Sequence, residues 1–354
     1  MMRVAILGTG QRCTDVYVPI IRVLPDVTLA GVCGRDQDKA SQLAARLGTR
    51  AYPTSDDLLG DDSVDLVISC VSWTENASTY QNLATSNKPA LIETPMGHDY
   101  PSAMAAVREL GRRAAPTVVA EQYHLRPLEV LKRNLIAAGR FGDVFSAFVD
   151  GVGHDYHGIS LLRSYIGYED RVARVAAMRA EAPLFDHPSH RNVFFGREVV
   201  QHALLAFESG KHGTYHWSWL SYESPIRPKR IAGFYGTKGS CWGNECVAFL
   251  DERGPASQVH FERRTKVISG LETLIQILAF NDQGLLIGQW TNPVPDLPLS
   301  EELLTSTTLL LNAISCCQGL ANPLYTPAMA GEDHRVVHAI ENAAASDAGW
   351  LTAT

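Results

Sequence analysis

The sequence predicts an α/β fold: an N-terminal doubly wound parallel sheet, then an α+β domain with a large, mainly antiparallel sheet. Three observations carry this. Val4-Ala5-Ile6-Leu7 is an apolar run too short for a helix and ends at glycine, as a strand buried on both faces does. Gly8-Thr9-Gly10 follows, then Val16, Ile20, Ile21, Val23 and Leu24 at helical spacing, then a second apolar run from Val27 to Cys33. Far downstream, Thr214, His216 and Ser218 alternate with Tyr215, Trp217 and Trp219, the period of a sheet with two unlike faces.

Strand, glycine turn, helix and second strand form the Rossmann unit that seats a dinucleotide pyrophosphate on a helix N-terminus. Gly8 permits the tight turn and Gly10 lets the backbone approach the phosphates, with Thr9, Gln11 and Arg12 beside them. Cys13 stands where a third glycine would be, so looser helix–strand packing is expected there. The end of the second strand selects the nucleotide. An acid there would hold the ribose of NAD(H); this chain has Gly34 and Arg35, with Lys39 one turn on, a set suited to a 2′-phosphate. NADP(H) is favoured and NAD(H) stays open.

The elements then follow in order. A helix is expected from Gln37 to Leu47, a short strand at Arg50–Tyr52, a capped turn at Ser55–Leu59 and a strand from Val64 to Val71. Cys70, Val71 and Ser72 end that strand and should line the cofactor crevice, because ligands sit at strand C-termini in such sheets. A helix through Leu83 and a strand from Pro89 to Glu93 lead to Glu93-Thr94-Pro95-Met96. A helix (Pro101–Ala114) and a strand (Pro116–Glu121) complete the domain, with a boundary at Gln122. The expected division is 1–122 for cofactor binding and 123–354 for substrate binding and association. The second part opens with a helix, Pro127 to Ala138, and continues as strands over 143–149, 172–178, 199–208 and 213–220. Helices at Glu301–Cys317 and Pro327–Ala345 close it.

Composition bounds the rest. At 354 residues, 45% hydrophobic and 19% charged, the chain has the make-up of an ordinary globular protein of two domains. A formal charge of −7 and no basic block argue against a nucleic-acid surface. No secretory signal or membrane-length apolar run is read. Seven cysteines without zinc spacing suggest reduced thiols in a cytoplasm, Cys241 and Cys246 in one hairpin being the pair to inspect.

The layout resembles the glucose–fructose oxidoreductase/inositol dehydrogenase (Gfo/Idh/MocA) family over nearly the whole chain. The residues that carry it are Gly8-Thr9-Gly10, Val64 to Ile68, Leu91-Ile92-Glu93-Thr94-Pro95, Gln122-Tyr123-His124-Leu125-Arg126-Pro127, Gly139-Arg140-Phe141-Gly142 and Gly236-Thr237-Lys238-Gly239. The resemblance implies a cofactor site that also takes in Glu93, Thr94 and Gln122, and association as a homodimer or homotetramer through the second sheet, for which Tyr215, Trp217 and Trp219 are candidates.

Two departures bear on chemistry. Typical members read Glu-Lys-Pro, the lysine reaching the nicotinamide and the substrate oxygen; Thr94 stands there and can neither hold a charge nor pass a proton near neutrality. Typical polyol dehydrogenases carry Asp four residues before a histidine; His157 matches the histidine, but Gly153 replaces the acid. The remaining candidates for acid–base work are Tyr123, His124, His154, Asp155, Tyr156 and His157, with Asp155 also a plausible helix cap and no metal set among them. His216 reads as a structural histidine of its strand.

Without the lysine, alcohol oxidation is disfavoured, whereas reducing a polarised double bond needs a hydride and one proton. Biliverdin reductases carry Glu-Tyr-Pro and thiazolinyl imine reductases Glu-His-Pro at this place. The chain is similar to the latter branch in length, direct strand-to-helix passage and NADP-type residues, while Thr94 departs from both. The expectation is an NADPH-dependent reductase of a C=N or C=O bond in a small molecule, presented free or on a carrier protein as in siderophore assembly. A sugar or cyclitol dehydrogenase or ketosugar reductase is the alternative, and a non-catalytic nucleotide sensor the alternative of another class.

Overall fold

A computed structural model describes residues 1–188, 194–250, 254–346 and 349–353. They divide into two compact units, each discontinuous in sequence. The first is Met1–Leu125 with Thr265–Ile275 and Asn292–Glu332; the second is Arg126–Arg264 with Gln276–Thr291 and Asp333–Thr354. A split at one point in the chain gives each unit a single run. The returning segments, among them the helix α9 (Glu301–Cys317), carry no sequence mark of the unit they join.

In the first unit β1 (Met2–Leu7), β2 (Val27–Cys33), β3 (Arg50–Ala51), β4 (Leu66–Ser69), β5 (Ala90–Ile92) and β6 (Thr117–Val119) form a sheet in the order β3-β2-β1-β4-β5-β6. Every registered pair is parallel. This is the doubly wound order, with the crevice at the β1/β4 reversal. Val4, Ala5, Ile6, Leu66, Val67 and Ile68 are fully buried, which is why those strands read as unbroken apolar runs.

The helices of this unit are α1 (Val18–Val23), α2 (Gln37–Leu47), α3 (Ser55–Leu59), α4 (Asn76–Thr85) and α5 (Tyr100–Gly111). The helix expected around Val16 to Leu24 begins earlier and is not uniform. Arg12–Tyr17 is wound as a π-helix and passes into α1 at Val18, where Pro19 has no N–H to donate to a regular ladder. Asp36 caps α2 by accepting from the Lys39 amide at 3.0 Å, and Thr54 with Asp57 forms a capping box on α3. Cys13, where looser packing was expected, is fully buried.

The second unit opens with α6 (Pro127–Ala137), β7 (Val144–Asp150) and α7 (Asp155–Ile166). The chain continues through β8 (Val172–Pro188), β9 (Phe194–Phe207), β10 (His212–Ser218), α8 (Leu220–Glu223), β11 (Ile231–Gly236), β12 (Gly239–Trp242) and β13 (Glu245–Ala248). The sheet is extended by the part of β14 (Ser257–Ile268) up to Arg264, the part of β15 (Leu271–Phe280) from Gln276 and β16 (Leu286–Thr291), and at its other edge by β17 (Leu351–Thr352), after α10 (Pro327–Ala344), which enters the unit at Asp333. The order is β16-β15-β14-β13-β12-β11-β7-β10-β9-β8-β17. β7 and β10 run parallel, and the neighbours on either side of them are antiparallel.

Two sequence motifs meet in this unit as one corner. The Lys238 amide donates to the Phe141 carbonyl at 2.9 Å and the Asp143 amide to Thr237 Oγ1 at 3.0 Å. A Cβ on Gly142 would lie 2.2 Å from Thr237 Oγ1, so glycine is required by contact as well as by its φ of +68°. Cys241 and Cys246 oppose each other on β12 and β13 with Cα atoms 4.0 Å apart and form a disulfide; this corrects the expectation of reduced thiols for that pair, while the remaining cysteines stay free.

The alternation on β10 is present, but the aromatic face is not the open one. Tyr215 is 2% exposed and packs on α7, where a Cβ on Gly158 would lie 3.0 Å from its ring, and Trp217 Nε1 donates to the Gly153 carbonyl at 3.3 Å. The opposite face carries His216, which is hydrogen-bonded to Asp150 at 2.5 Å and stacked on His202 with ring centres 4.5 Å apart. His216 is thus a satisfied sheet histidine. No described helix is long and apolar enough to cross a membrane.

Candidate functional site

The carboxyl ends of β1, β2 and β4 surround a cleft of about 790 Å³. Its walls include Gly8, Thr9, Gly10, Gln11, Arg12, Gly34, Arg35, Lys39, Cys70, Val71 and Ser72, all named from sequence, together with Asp36, Gln37, Thr54, Ser55 and Glu75, which were not. Gly8 has φ +113°, and a Cβ there would lie 2.5 Å from the Cys70 carbonyl oxygen. A Cβ on Gly10 would meet nothing within 4 Å. One glycine is therefore required by the fold, whereas the other leaves open space in the wall of the cleft. Such a cradle fits a pyrophosphate.

At the β2 end a Cβ on Gly34 would lie 2.8 Å from the Thr9 side chain, so an acid there would have to displace that side chain. Asp36, the nearest carboxylate, is engaged as the cap of α2. Arg35 projects to solvent and pairs with Glu75 at 2.9 Å. An exposed pair of this kind is worth at most ~1 kcal/mol, so an incoming phosphate can displace Glu75.

The other end of the cleft is organised by Arg12. Its Nε donates to Glu93 Oε1 at 2.6 Å and its Nη2 to Gln122 Oε1 at 3.0 Å, with Ser306 Oγ of α9 at 3.4 Å. Tyr17 donates to the same Glu93 oxygen at 2.5 Å. Burial opposes the guanidinium's charge, but the Glu93 carboxylate outweighs it and holds Arg12 above its ordinary value. Burial, then Glu93, pushes the Tyr17 hydroxyl well up. The Glu93-Thr94-Pro95 segment is pinned from α4, where the Tyr80 hydroxyl donates to the Glu93 carbonyl and Asn76 Nδ2 to the Pro95 carbonyl at 2.6 Å. Thr94 precedes a cis proline.

Of the acid–base candidates, Tyr123 and His124 lie in the first unit in a 3-10 turn. The His124 ring is 5.1 Å from that of Tyr325. The segment His154 to His157 lies in the second unit. There His154 takes the N-cap position of α7 and Asp155 begins the helix, one residue earlier than a capping role for Asp155 implies, because the extended backbone falls at His154. Tyr156 stands between His157, at 4.4 Å, and His334 of α10, stacked at 5.8 Å; Trp219 lies edge-on to His154 at 5.5 Å. His334 and Trp219 had no local signal, since nothing near either in sequence marks the packing of α10 and α8 beside α7.

Burial, then the charge of His157, lowers both His154 and His334 to about 4, so both are neutral at pH 7. Burial raises the Asp155 carboxyl, and burial with the charge of Asp155 raises Glu341. His154 is therefore not the cationic donor that its residue type suggested. The linkage has a definite sign. From 6.5 down to about 4 the unfolded chain binds protons that the folded imidazoles refuse, so stability falls with falling pH. The slope reaches ~1.4 kcal/mol per pH unit for each histidine, and the two raised carboxyls oppose it. His334→Gln is expected to flatten this acid limb in urea melts; a limb as steep as wild type would show that His334 is not held neutral.

Residues 2–120 match the family model described as GFO_IDH_MocA, oxidoreductase family, NAD-binding Rossmann fold. The match spans the first domain, whose sequence fits the NAD-binding Rossmann fold of that oxidoreductase family. No curated protein matches the sequence. Among solved structures, an NAD-binding oxidoreductase from Klebsiella pneumoniae superposes with TM-score 0.72 at 17% identity, covering 100% of this chain and 99% of the other. Levoglucosan dehydrogenase, solved with NADH and levoglucosan, gives 0.71 at 14% identity over 99% of each chain. The WlbA dehydrogenase of Bordetella pertussis, solved with NADH and UDP-GlcNAcA, gives 0.67 at 16% identity over 99% and 98%. At these identities the likeness is one of fold.

Proposed function

We propose that this oxidoreductase reduces a polarised C=N or C=O bond of a small molecule with NADPH, most nearly in the manner of a thiazolinyl imine reductase. The observation that carries the reading is the state of the Glu93-Thr94 pair. The carboxylate is committed to Arg12 and Tyr17, and the threonine beside it cannot accept a hydroxyl proton near neutrality. Alcohol oxidation asks for such an acceptor, whereas reduction does not. An imine asks least, since a protonated C=N already attracts hydride.

When bound, the reduced dinucleotide supplies the hydride. The chain's own residues do the rest. The amides of the Gly8–Gly10 turn receive the pyrophosphate, and Arg35, with Lys39, takes the 2′-phosphate. In the second unit the side chains with the chemistry to supply a proton are Asp155 and Tyr156, while neutral His154 and His334 flank them. Arg35→Ala is expected to weaken NADPH about ten- to hundredfold, as befits loss of a charge-assisted hydrogen bond, and NADH much less. Equal weakening of both would place Arg35 away from the 2′-phosphate.

A second reading, a sugar or cyclitol dehydrogenase or ketosugar reductase, is favoured by the sugar ligands of the structural relatives. Single-turnover NADPH oxidation separates the two, with a carrier-bound thiazoline intermediate set beside a panel of sugars and ketosugars. Turnover of the thiazoline alone supports the imine reading. Turnover of a sugar overturns it. Silence on both, with NADPH bound, leaves a nucleotide sensor.

A further inference from the structure

We propose that Arg12 sets the redox preference of the cofactor site, favouring the reduced, uncharged nicotinamide over the oxidised, cationic one and so directing the chain towards reduction. This rests on the dinucleotide site described above and goes beyond it by assigning a direction.

The argument begins with topology. In a doubly wound sheet one nucleotide lies over the β2 side of the crevice and the other over the side of β4 and the strands beyond it. Arg35 marks the first side. Arg12 marks the second, because its guanidinium is clamped by Glu93 at the end of β5 and by Gln122 beyond β6. The π-helical winding of Arg12–Tyr17 begins at this residue, and the clamp draws in Ser306 from α9.

Charge placement gives the asymmetry. Arg12 and Glu93 form a pair with no net charge, yet the partners are not equivalent towards the cleft. The Arg12 side chain is 31% exposed and forms part of the cleft wall, while Glu93 is 10% exposed and sits behind it, sharing one oxygen with Arg12 and Tyr17. Nη1 of Arg12 has no acceptor among the described residues, so one edge of the cation is left to the cleft. Thr94, next in sequence to Glu93, adds no charge. A guanidinium cannot be deprotonated in a protein, so this positive charge is constant with pH. Its field repels a pyridinium ring and leaves a neutral dihydropyridine untouched. It likewise favours negative charge arriving on the atom that accepts hydride.

The test needs no substrate. Dissociation constants for NADP+ and NADPH are measured by calorimetry on the full chain for wild type, Arg12→Gln, Arg12→Lys and Glu93→Gln, and the NAD+/NADH pair is run in parallel. The expected result is that Arg12→Gln lowers the ratio Kd(NADP+)/Kd(NADPH) about tenfold, mainly by tighter NADP+ binding. Arg12→Lys should keep the ratio within about threefold of wild type, and Glu93→Gln should raise it, because the cation then lacks its counter-charge. The opposite signs of the Arg12→Gln and Glu93→Gln effects guard against a general loss of folding. Equal weakening of both redox forms would make Arg12 a phosphate clamp and overturn the proposal, as would an unchanged ratio. A wild type that binds only NAD(H) would refute the NADPH reading alone, since the Arg12 effect is then read on that pair. A wild type that binds neither dinucleotide would overturn both.

Discussion

Gly10→Ala is expected to leave the melting temperature in place and to cut dinucleotide affinity ten- to hundredfold, while Gly8→Ala loses both. The two glycines are two residues apart and chemically identical, so the contrast isolates what each does. At Gly10 an added Cβ meets no protein atom within 4 Å and enters the open wall of the cleft, where a pyrophosphate must approach the backbone. At Gly8 the backbone has φ +113° and the Cβ would lie 2.5 Å from the Cys70 carbonyl oxygen and 2.7 Å from its carbon. Strain at such a position costs ~1–3 kcal/mol. Overpacking against the end of β4 adds ~1–3 kcal/mol. Thermal melts with calorimetric titration of NADPH and NADH check both variants. A Gly10→Ala protein that binds as well as wild type would remove the Gly8–Gly10 turn from the phosphate site.

Arg163→Ala is expected to destabilise the second unit by ~3–5 kcal/mol, the cost of leaving one member of a buried ion pair without its partner. Arg163 of α7 donates to Asp333 of α10 at 2.5 Å, with side chains only 2% and 4% exposed. Replacing both by apolar residues, Arg163→Met with Asp333→Leu, is expected to recover most of that loss, because the pair's desolvation is then relieved together with its attraction. The pair also has a positional consequence. It fixes α7, which carries His154 to His157, against the residue next to His334, so the ring stacking of Tyr156 on His334 depends on it. Urea melts of the single and double variants read the energy; a single variant within about 1 kcal/mol of wild type would contradict a dry, tightly held pair.

Much of the cofactor domain was legible in sequence because its signals are local. Short apolar runs gave β1, β2 and β4, the first two ended by glycine, and the Gly8–Gly10 turn, Gly34 and Arg35 fall on the wall of one cleft as their spacing implies. Glu75, Thr54 and Ser55 of the same wall were missed, since loops after separate strands approach each other only once the sheet is wound. The second domain was legible as a class of sheet but not as a set of faces. Alternation along β10 gave the period, yet it did not tell that Tyr215 and Trp217 lie on the side covered by α7. Cys13, read as loosening the helix–strand packing, is fully buried.

The sequence by itself determined that this chain is a Rossmann oxidoreductase with an altered Glu-x-Pro segment, because strand period, glycine placement and residue type at a strand end are properties of short stretches. Tertiary structure decided what the Glu-x-Pro carboxylate pairs with and which imidazoles stay neutral. Arg12 meets Glu93 and Gln122 across 81 and 110 residues, and His334 reaches Tyr156 from α10. Those pairings depend on how helices and strand ends pack, and a side chain's charge state depends on the burial that such packing imposes.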